Sequence, residues 1–191
     1  MSIDAALAQR IALVAFDVDG TLTDNGIYIG AADDAPTSRM ELKRFDISDG
    51  LGIVLLRRAG IAVAFISARH SEATTLRARE LGVPHLMQGR GLKKVPTLEA
   101  LCRELGITTA EAAFMGDDLA DVAVMQCVAL SAAPSNAVAE VKAVASVQLE
   151  REGGRGAARE FIEALLRARG IWDDVVTGYA RDSLGEEATS A

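Results

Sequence analysis

Two carboxylates near the N-terminus have the type and spacing that phosphoryl transfer would require. Asp17 and Asp19 follow the apolar run 11–16 and precede Gly20. Two carboxylates this close repel each other unless a cation lies between them or one of them binds a proton. One could attack phosphorus as a nucleophile, while the other protonates the leaving oxygen and then activates water. A solvated turn is the alternative, because Asp and Gly favour turns.

Further carboxylates follow a second apolar segment, 112–115. Asp117, Asp118 and Asp121 lie close together after Gly116. Such a group is costly without a hard cation, and its oxygen ligands suit Mg²⁺, which commonly shares its site with phosphate. Asp117 or Asp118 could instead cap the next helix, but capping does not require all three acids. The pattern therefore favours a magnesium site.

A hydroxyl group and two cationic side chains also follow predicted strands or turns. Ser67 and Arg69 follow the apolar run 61–66, and Lys93 follows a turn at 88–89. A phosphoryl-transfer site needs a hydroxyl and cations to hold the phosphate oxygens as their charge shifts. Each of these residues, taken singly, is more often an ordinary surface residue. The prediction depends on their order along the chain.

Short apolar runs alternate with stretches of helical spacing, and these elements must position the residues named above. We predict strands at 11–16, 61–66, 84–87, 112–115 and 128–130, and helices from about 48 to 60 and at 71–81, 93–105 and 119–125. Strands that alternate with helices indicate an α/β fold, here a Rossmann-like parallel sheet with helices on both faces. Such sheets bind ligands at the carboxyl ends of their strands, where the acids and cations lie.

Two segments interrupt this alternation. Residues 27–45 predict a β-hairpin with a polar loop at 31–38, and residues 171–191 predict a mobile polar tail. There is neither an internal repeat nor an interdomain linker. We therefore predict a single domain over residues 1–191, with a core at about 10–170.

The spacing of the candidate residues leaves no room for a cap domain. Residues 24–66 suffice for a hairpin and one helix, and residues 69–93 for one helix and one strand. A cleft without a cap still has to exclude water during the reaction. A neighbouring subunit is the obvious candidate to cover it.

The bulk composition narrows the possible partners. Of the 191 residues, 50% are hydrophobic and 25% charged, which is typical of a soluble globular protein. The net charge of −7 disfavours nucleic acids and anionic membranes, although local cations and a metal ion could still attract an anionic substrate. Residues 1–10 lack a signal-peptide core, and no apolar run approaches the roughly 20 residues that span a bilayer. Cys102 and Cys127 indicate buried thiols and a cytoplasmic location.

The order of the candidate residues along the chain resembles that of a known family. Residues 17–23, Ser67, Lys93 and residues 116–121 are similar to the four ordered motifs of the haloacid dehalogenase-like phosphatases. The resemblance runs from about residue 11 to residue 161.

The resemblance implies a role for each matched residue. Asp17 would be the nucleophile, Asp19 the general acid and base, and Ser67 and Lys93 the residues that hold the phosphate. Mg²⁺ would be bound by the Asp17 side chain, the Asp19 carbonyl and Asp117, with Asp121 supporting them from the outer shell.

Within this family the chain is most similar to the capless 3-deoxy-D-manno-octulosonate 8-phosphate phosphatases of lipopolysaccharide precursor synthesis. The resemblance is carried by residues 45–52, Arg69, Arg77, residues 88–89 and residues 153–160. It implies a homotetramer in which the hairpin packs against neighbours. It also implies that the sugar-acid phosphate is bound by Asp46, Ile47, Ser48, Asp49, Gly50, Arg69, Arg77 and Lys93.

Other functions remain open. Ser48 and Val54 stand where octulosonate phosphatases usually carry basic residues. Relatives that act on nonulosonate (sialic-acid-type) 9-phosphates have a serine in that segment, but they tend to lack the arginine matched by Arg69. A phospho-accepting signalling domain also places acids and a lysine on a parallel sheet, yet lacks the Asp-x-Asp-Gly-Thr run. A catalytically idle scaffold is disfavoured because every expected catalytic acid is present.

Overall fold

The computed structural model describes residues 3–31 and 40–183. Its strands are β1 (Leu13–Phe16), β2 (Tyr28–Gly30), β3 (Met40–Leu42), β4 (Ala62–Ser67), β5 (His85–Gln88), β6 (Ala112–Met115), β7 (Leu130–Ala133) and β8 (Val147–Gln148). Its helices are α1 (Ala5–Arg10), α2 (Ile47–Arg58), α3 (Glu72–Glu80), α4 (Lys94–Glu104), α5 (Val122–Cys127), α6 (Ala139–Val144), α7 (Ala157–Ala168) and α8 (Trp172–Ser183). None of the described helices combines the length and apolar character needed to cross a bilayer. The predicted loop lies outside the described residues except for residue 31, as does the end of the predicted tail.

Strand β1 lies inside a six-stranded parallel sheet with the order β5-β4-β1-β6-β7-β8. Its last residue, Phe16, pairs with Phe65 of β4 and with Met115 of β6. The carboxyl ends of these three strands therefore lie side by side. The predicted Rossmann-like sheet is confirmed. The strand predicted at 128–130 runs instead from Leu130 to Ala133, and β8 was not predicted because only two residues form it.

Both faces of the sheet are covered by helices. Val14 and Phe16 point into a core shared with α2 and α7, and Leu13 and Ala15 into a second core shared with α4 and α5. Alternate side chains of a strand point to opposite faces, so a strand that is buried on both faces has to be apolar throughout. This accounts for the uninterrupted apolar run before Asp17.

The hairpin lies outside the main sheet and no cap accompanies it. Strands β2 and β3 pair antiparallel, and at their base Thr23 forms a bridge with Phe45. In the described part of the chain, only this hairpin and α2 lie between β1 and β4, and only α3 lies between β4 and β5. The predicted hairpin and the predicted absence of a cap are confirmed.

The prediction of a mobile tail is wrong for residues 172–183, which form helix α8. Trp172 is buried, and the guanidinium groups of Arg159 and Arg167 lie 5.1 and 5.2 Å from its ring centroid. Arg58 of α2 forms an ion pair with Asp182. The polar composition of this segment concealed an amphipathic helix, since Val175 packs on the core while its neighbours face solvent.

Candidate active site

Asp17 lies at the carboxyl end of β1, inside the cluster of acidic residues. Its N–H donates to Met115 O at 2.9 Å, which continues the pairing of β1 with β6 by one residue. Its side chain is buried, and its Oδ1 lies 2.5 Å from Lys94 Nζ. The central position of β1 thus places a carboxylate between the ends of β4 and β6.

The lysine of the site is Lys94, which corrects the prediction of Lys93. Lys94 Nζ lies 2.5 Å from both Asp17 Oδ1 and Asp121 Oδ1, whereas Lys93 is exposed at the start of α4. Successive helical residues project about 100° apart, so only one of two adjacent lysines can face the cleft. A signal was available in the sequence, because Lys94 shares the buried stripe of α4 with Leu98.

The three acids after β6 have different roles. Asp118 is exposed and accepts a hydrogen bond from Leu119 N, so it caps the following turn. Asp117 is buried and accepts a hydrogen bond from Thr21 Oγ1 at 2.8 Å. Asp121 Oδ2 accepts hydrogen bonds from the N–H groups of Asp117 and Asp118, at 3.0 and 3.2 Å. Asp121 therefore braces the loop that carries Asp117.

The buried acids form a group that suits a divalent cation. One carboxylate oxygen from each of Asp17, Asp117 and Asp121 lies within 4.8 Å of the others. Burial and the charge of Asp121 raise the pKa of Asp17 to about 8, against the opposing effect of Lys94. Burial also raises the pKa of Asp117 to about 6, although the hydrogen bond from Thr21 opposes this. One lysine does not neutralise three buried carboxylates, so the site fits Mg²⁺.

Lys94 remains charged in these surroundings. Burial opposes its charge, but the carboxylates of Asp17 and Asp121 more than compensate, so the pKa of Lys94 is raised. A permanent cation therefore stands beside the candidate nucleophile.

Asp19 lies at the rim of this group and contacts a residue that sequence analysis missed. Its Oδ1 is 2.6 Å from Lys43 Nζ, and the Lys43 side chain is 0% exposed. Lys43 comes from the hairpin, directly after β3. Nothing in its local sequence marks it, because a lysine at the end of an exposed hairpin normally faces solvent.

Ser67 and Arg69 lie at the end of β4, as predicted. Ser67 is buried; its Oγ donates to Arg69 O at 3.1 Å and accepts from Arg69 N at 3.2 Å. The Arg69 guanidinium forms a two-pronged ion pair with Glu41 of β3, with 2.9 Å between Nη1 and Oε1. Hydrogen bonds from Arg69 and Ser71 hold the pKa of Glu41 down, at about 2.

The segment predicted to contact the sugar acid begins at the start of α2. Asp46 caps α2, accepting hydrogen bonds from Ser48 N at 2.8 Å and Ser48 Oγ at 2.5 Å. Ile47 is 78% exposed. Asp46, Ile47 and Ser48 are thus accessible at the surface or partly so.

The next two residues of that segment and Arg77 face the interior. Asp49 is buried and accepts hydrogen bonds from Gly156 N at 3.2 Å and Arg159 N at 2.8 Å, so it caps α7. A Cβ on Gly50 would lie 2.2 Å from Arg77 Nη2, which itself donates to the Asp46 carbonyl. These contacts correct the prediction that Asp49 and Gly50 bind substrate, because both serve packing between helices.

The glycine-rich loop before α7 packs directly against the loop that follows β1. A Cβ on Gly153 would lie 1.8 Å from Gly20 O, and Gly154 N donates to Thr21 O at 3.0 Å. Asn136, which sequence analysis did not identify, accepts from Gly153 N at 2.7 Å and donates to Gly20 O at 3.2 Å. Such close approach of two backbones excludes any side chain at Gly153.

Comparisons with known proteins agree with this geometry. Residues 86–160 match the family model of haloacid dehalogenase-like hydrolases. The 3-deoxy-D-manno-octulosonate 8-phosphate phosphatase of Escherichia coli K12 is 37% identical over 169 residues, which are 88% of this chain and 86% of the relative.

Two solved structures share the fold. The Moraxella catarrhalis 3-deoxy-D-manno-octulosonate 8-phosphate phosphatase, in complex with magnesium, phosphate and KDO, has a TM-score of 0.84 and 32% identity, covering 92% of this chain and 97% of that one. The cobalt-bound Haemophilus influenzae enzyme has a TM-score of 0.81 and 32% identity, covering 91% and 99%. With its cluster of buried acids and its capless sheet, the chain belongs to the 3-deoxy-D-manno-octulosonate 8-phosphate phosphatase family of haloacid dehalogenase-like hydrolases.

Proposed function

We propose that the chain is a Mg²⁺-dependent phosphatase that hydrolyses 3-deoxy-D-manno-octulosonate 8-phosphate in lipopolysaccharide precursor synthesis. The observation that carries the proposal is the position of Asp17 at the end of β1, with Lys94 at 2.5 Å and Asp117 and Asp121 in the same buried group. This arrangement offers a carboxylate nucleophile, a fixed cation and oxygen ligands for a metal ion.

The reaction has two steps. In the first, an Asp17 carboxylate oxygen attacks phosphorus, the bond from phosphorus to the ester oxygen breaks, and that oxygen takes a proton from the Asp19 carboxyl group. In the second, the Asp19 carboxylate takes a proton from water, whose oxygen attacks phosphorus. The bond from phosphorus to Asp17 breaks, which releases phosphate and restores the Asp17 carboxylate and the Asp19 carboxyl group. Ser67 and Lys94 hold the phosphoryl oxygens in both steps.

Mg²⁺ would be held by the carboxylates of Asp17 and Asp117 and by the backbone carbonyl of Asp19. When bound, it supplies positive charge that offsets the phosphate oxygens and favours the ionised form of Asp17. Asp121 is engaged by Lys94 and two backbone N–H groups. It therefore orients Asp117 and Lys94 from the outer shell.

The substrate assignment rests on Arg69 and on the similarity of the chain to octulosonate 8-phosphate phosphatases. Arg69 follows the end of β4, and its planar guanidinium, which pairs with the Glu41 carboxylate, could bind the substrate carboxylate in place of Glu41. Arg77 is mostly buried and acts through Asp46, whose carbonyl it binds at 2.9 Å. A nonulosonate 9-phosphate is the second candidate substrate, favoured by the uncharged Ser48.

The exposed face of the hairpin supports a homotetramer. Tyr28, Met40 and Leu42 are exposed apolar side chains on one face of β2 and β3, and Ile47 at the start of α2 is exposed as well. A group of exposed apolar side chains of this kind commonly marks an interface. Contact with a neighbouring copy would cover the apolar face and the open cleft. Variants with Asp at positions 28 and 42, examined by light scattering, should form smaller assemblies; an unchanged mass would reject the assignment of this surface.

The location we propose is the cytoplasm. Cys102 and Cys127 are both free thiols. Free thiols are typical of a reducing compartment.

A phosphate-release panel tests the proposed reaction and its substrate. With Mg²⁺ present, octulosonate 8-phosphate should be turned over with a higher kcat/KM than nonulosonate 9-phosphates and simple sugar phosphates. Asp17→Asn keeps the shape of the side chain and should abolish turnover. Normal turnover by Asp17→Asn would disprove the mechanism, and a preference for sugars without a carboxylate would disprove the substrate assignment alone.

A further inference from the structure

The side chain of Lys43 lies inside the protein next to Asp19. Its Nζ is 2.6 Å from Asp19 Oδ1 and its side chain is 0% exposed. The same nitrogen donates to Thr74 Oγ1, on α3, at 3.3 Å. A buried ammonium group is costly unless an opposite charge and hydrogen bonds compensate it. The carboxylate of Asp19, in direct contact, and that of Glu41, farther away, supply the opposite charge for Lys43.

Backbone pairing on both sides fixes where Lys43 can reach. Before it, Leu42 pairs with β2; after it, Phe45 forms a bridge with Thr23 in the loop that follows β1. Successive side chains of an extended segment point to opposite faces. Leu42 is exposed, and Lys43 points the other way, toward the site. The backbone pairing thus fixes the position from which the Lys43 side chain extends toward Asp19.

Among the described residues, Lys43 is the cation in direct contact with Asp19, and Arg69 interacts with it from farther away. Its Oδ1 is buried and, within the described residues, accepts no hydrogen bond of ordinary geometry, so its close partner is the Lys43 ammonium. The Asp19 side chain is nevertheless 20% exposed, so the exposed surface belongs to its remaining atoms. Asp121, by contrast, is held by two backbone N–H groups. The direct contact that holds Asp19 Oδ1 is therefore the one with Lys43.

We propose that Lys43 is a positioning residue for Asp19: it holds one carboxylate oxygen and leaves the other to carry the transferred proton. The proposal rests on the proposed function, in which Asp19 is the general acid and base. In the first step the ester oxygen receives the electron pair of its broken bond to phosphorus and the proton of the Asp19 carboxyl group. That transfer requires the donor within hydrogen-bond reach, so a carboxyl group that rotates freely is a poorer acid.

The test is the dependence of rate on the leaving group in Lys43→Met. Purified wild type and variant are compared on aryl phosphates from phenyl to 2,4-dinitrophenyl phosphate, with Mg²⁺ at saturation. The quantity is kcat/KM, which reports the steps up to departure of the leaving group. Phenyl phosphate needs protonation of its oxygen, and the dinitrophenyl ester does not. We expect a loss of about 10- to 100-fold for the former and less than about threefold for the latter.

The ratio between substrates separates positioning from a loss of structure. A partly unfolded variant loses activity on every ester by the same factor, so the ratio is insensitive to the folded fraction. Lys43→Arg retains a cation and should restore much of the ratio, while Arg103→Met, at an exposed position of α4, should match wild type. An equal loss on all esters, or no loss, would overturn the proposal. Absence of Mg²⁺-dependent hydrolysis in the wild type would instead refute the proposed function.

Discussion

Lys94 Nζ lies 2.5 Å from Asp17 Oδ1, which joins the first residue of α4 to the loop after β1. The same nitrogen reaches Asp121 at 2.5 Å. One cation therefore links the candidate nucleophile to the acids that follow β6. It stands where a phosphoryl group bonded to Asp17 would need positive charge.

Replacement of Lys94 should be far more damaging than replacement of Lys93. We expect Lys94→Met to lower kcat by about 100-fold or more, because it removes a fixed charge from the transition state. Lys93→Met is the matched control, with the same change one residue away on the exposed side, and should stay within about twofold of wild type. Steady-state phosphate release measures both. A larger loss in Lys93→Met would reverse the assignment.

The metal-free protein should become less stable as pH rises toward 8. Burial holds the pKa of Asp17 at about 8, above its ordinary 3.8, and that of Asp117 at about 6. Between pH about 4 and about 8 the folded state therefore binds protons that the unfolded state has released. The free energy of unfolding then falls with rising pH across this window. Thermal unfolding in EDTA measures the effect.

Mg²⁺ should reverse this trend. It competes with protons for the same carboxylates, so the stabilisation that it provides should grow as pH rises. In Asp17→Asn the decline in EDTA should be shallower, because one raised pKa is removed. Melting temperatures in EDTA that rise steadily from pH about 5 to about 8 would contradict the pKa values of the buried acids.

Arg69 should discriminate substrates by their carboxylate. Arg69→Met should raise KM about 10- to 100-fold for octulosonate 8-phosphate, the range expected from losing a charge-assisted, two-pronged contact. The KM for a simple sugar phosphate without a carboxylate should change by less than about threefold, and this comparison serves as the control. An equal rise for both substrates would mean that Arg69 binds the phosphate group or supports Glu41 only.

Gly153→Ala should damage the site without touching a charged residue. Its Cβ would lie 1.8 Å from Gly20 O, so the loop that carries Asp17 and Asp19 would have to move. We expect kcat to fall at least about tenfold, since small displacements of reacting groups are costly. Gly178→Ala lies in α8, with no neighbour within 4 Å of the new Cβ. This variant should keep full activity and have a slightly higher melting temperature, because alanine favours a helix more than glycine does. Unchanged kcat in Gly153→Ala would show that this contact is dispensable.

The amino-acid sequence by itself determined the parallel sheet and the acids at its edge. Asp17 directly follows an apolar run that is buried on both faces, with Asp19 two residues later, and Asp117 follows another such run after Gly116. Because parallel strands share the direction of their carboxyl ends, residues in these positions converge whatever the loops do. Ser67 was predictable at the end of β4 for the same reason.

Only the tertiary structure decided which cations reach those acids. Lys94 rather than Lys93 faces Asp17 because the helical rotation of α4 selects one of two adjacent residues. Lys43 reaches Asp19 because the hairpin folds back to the β1 loop through Thr23 and Phe45, a contact between segments distant in sequence. Asp49 is buried because it accepts a hydrogen bond from an N–H group at the N-terminus of α7. Local sequence specifies where a strand ends. The partner of a long side chain depends on how separate elements pack against each other, which local sequence does not specify.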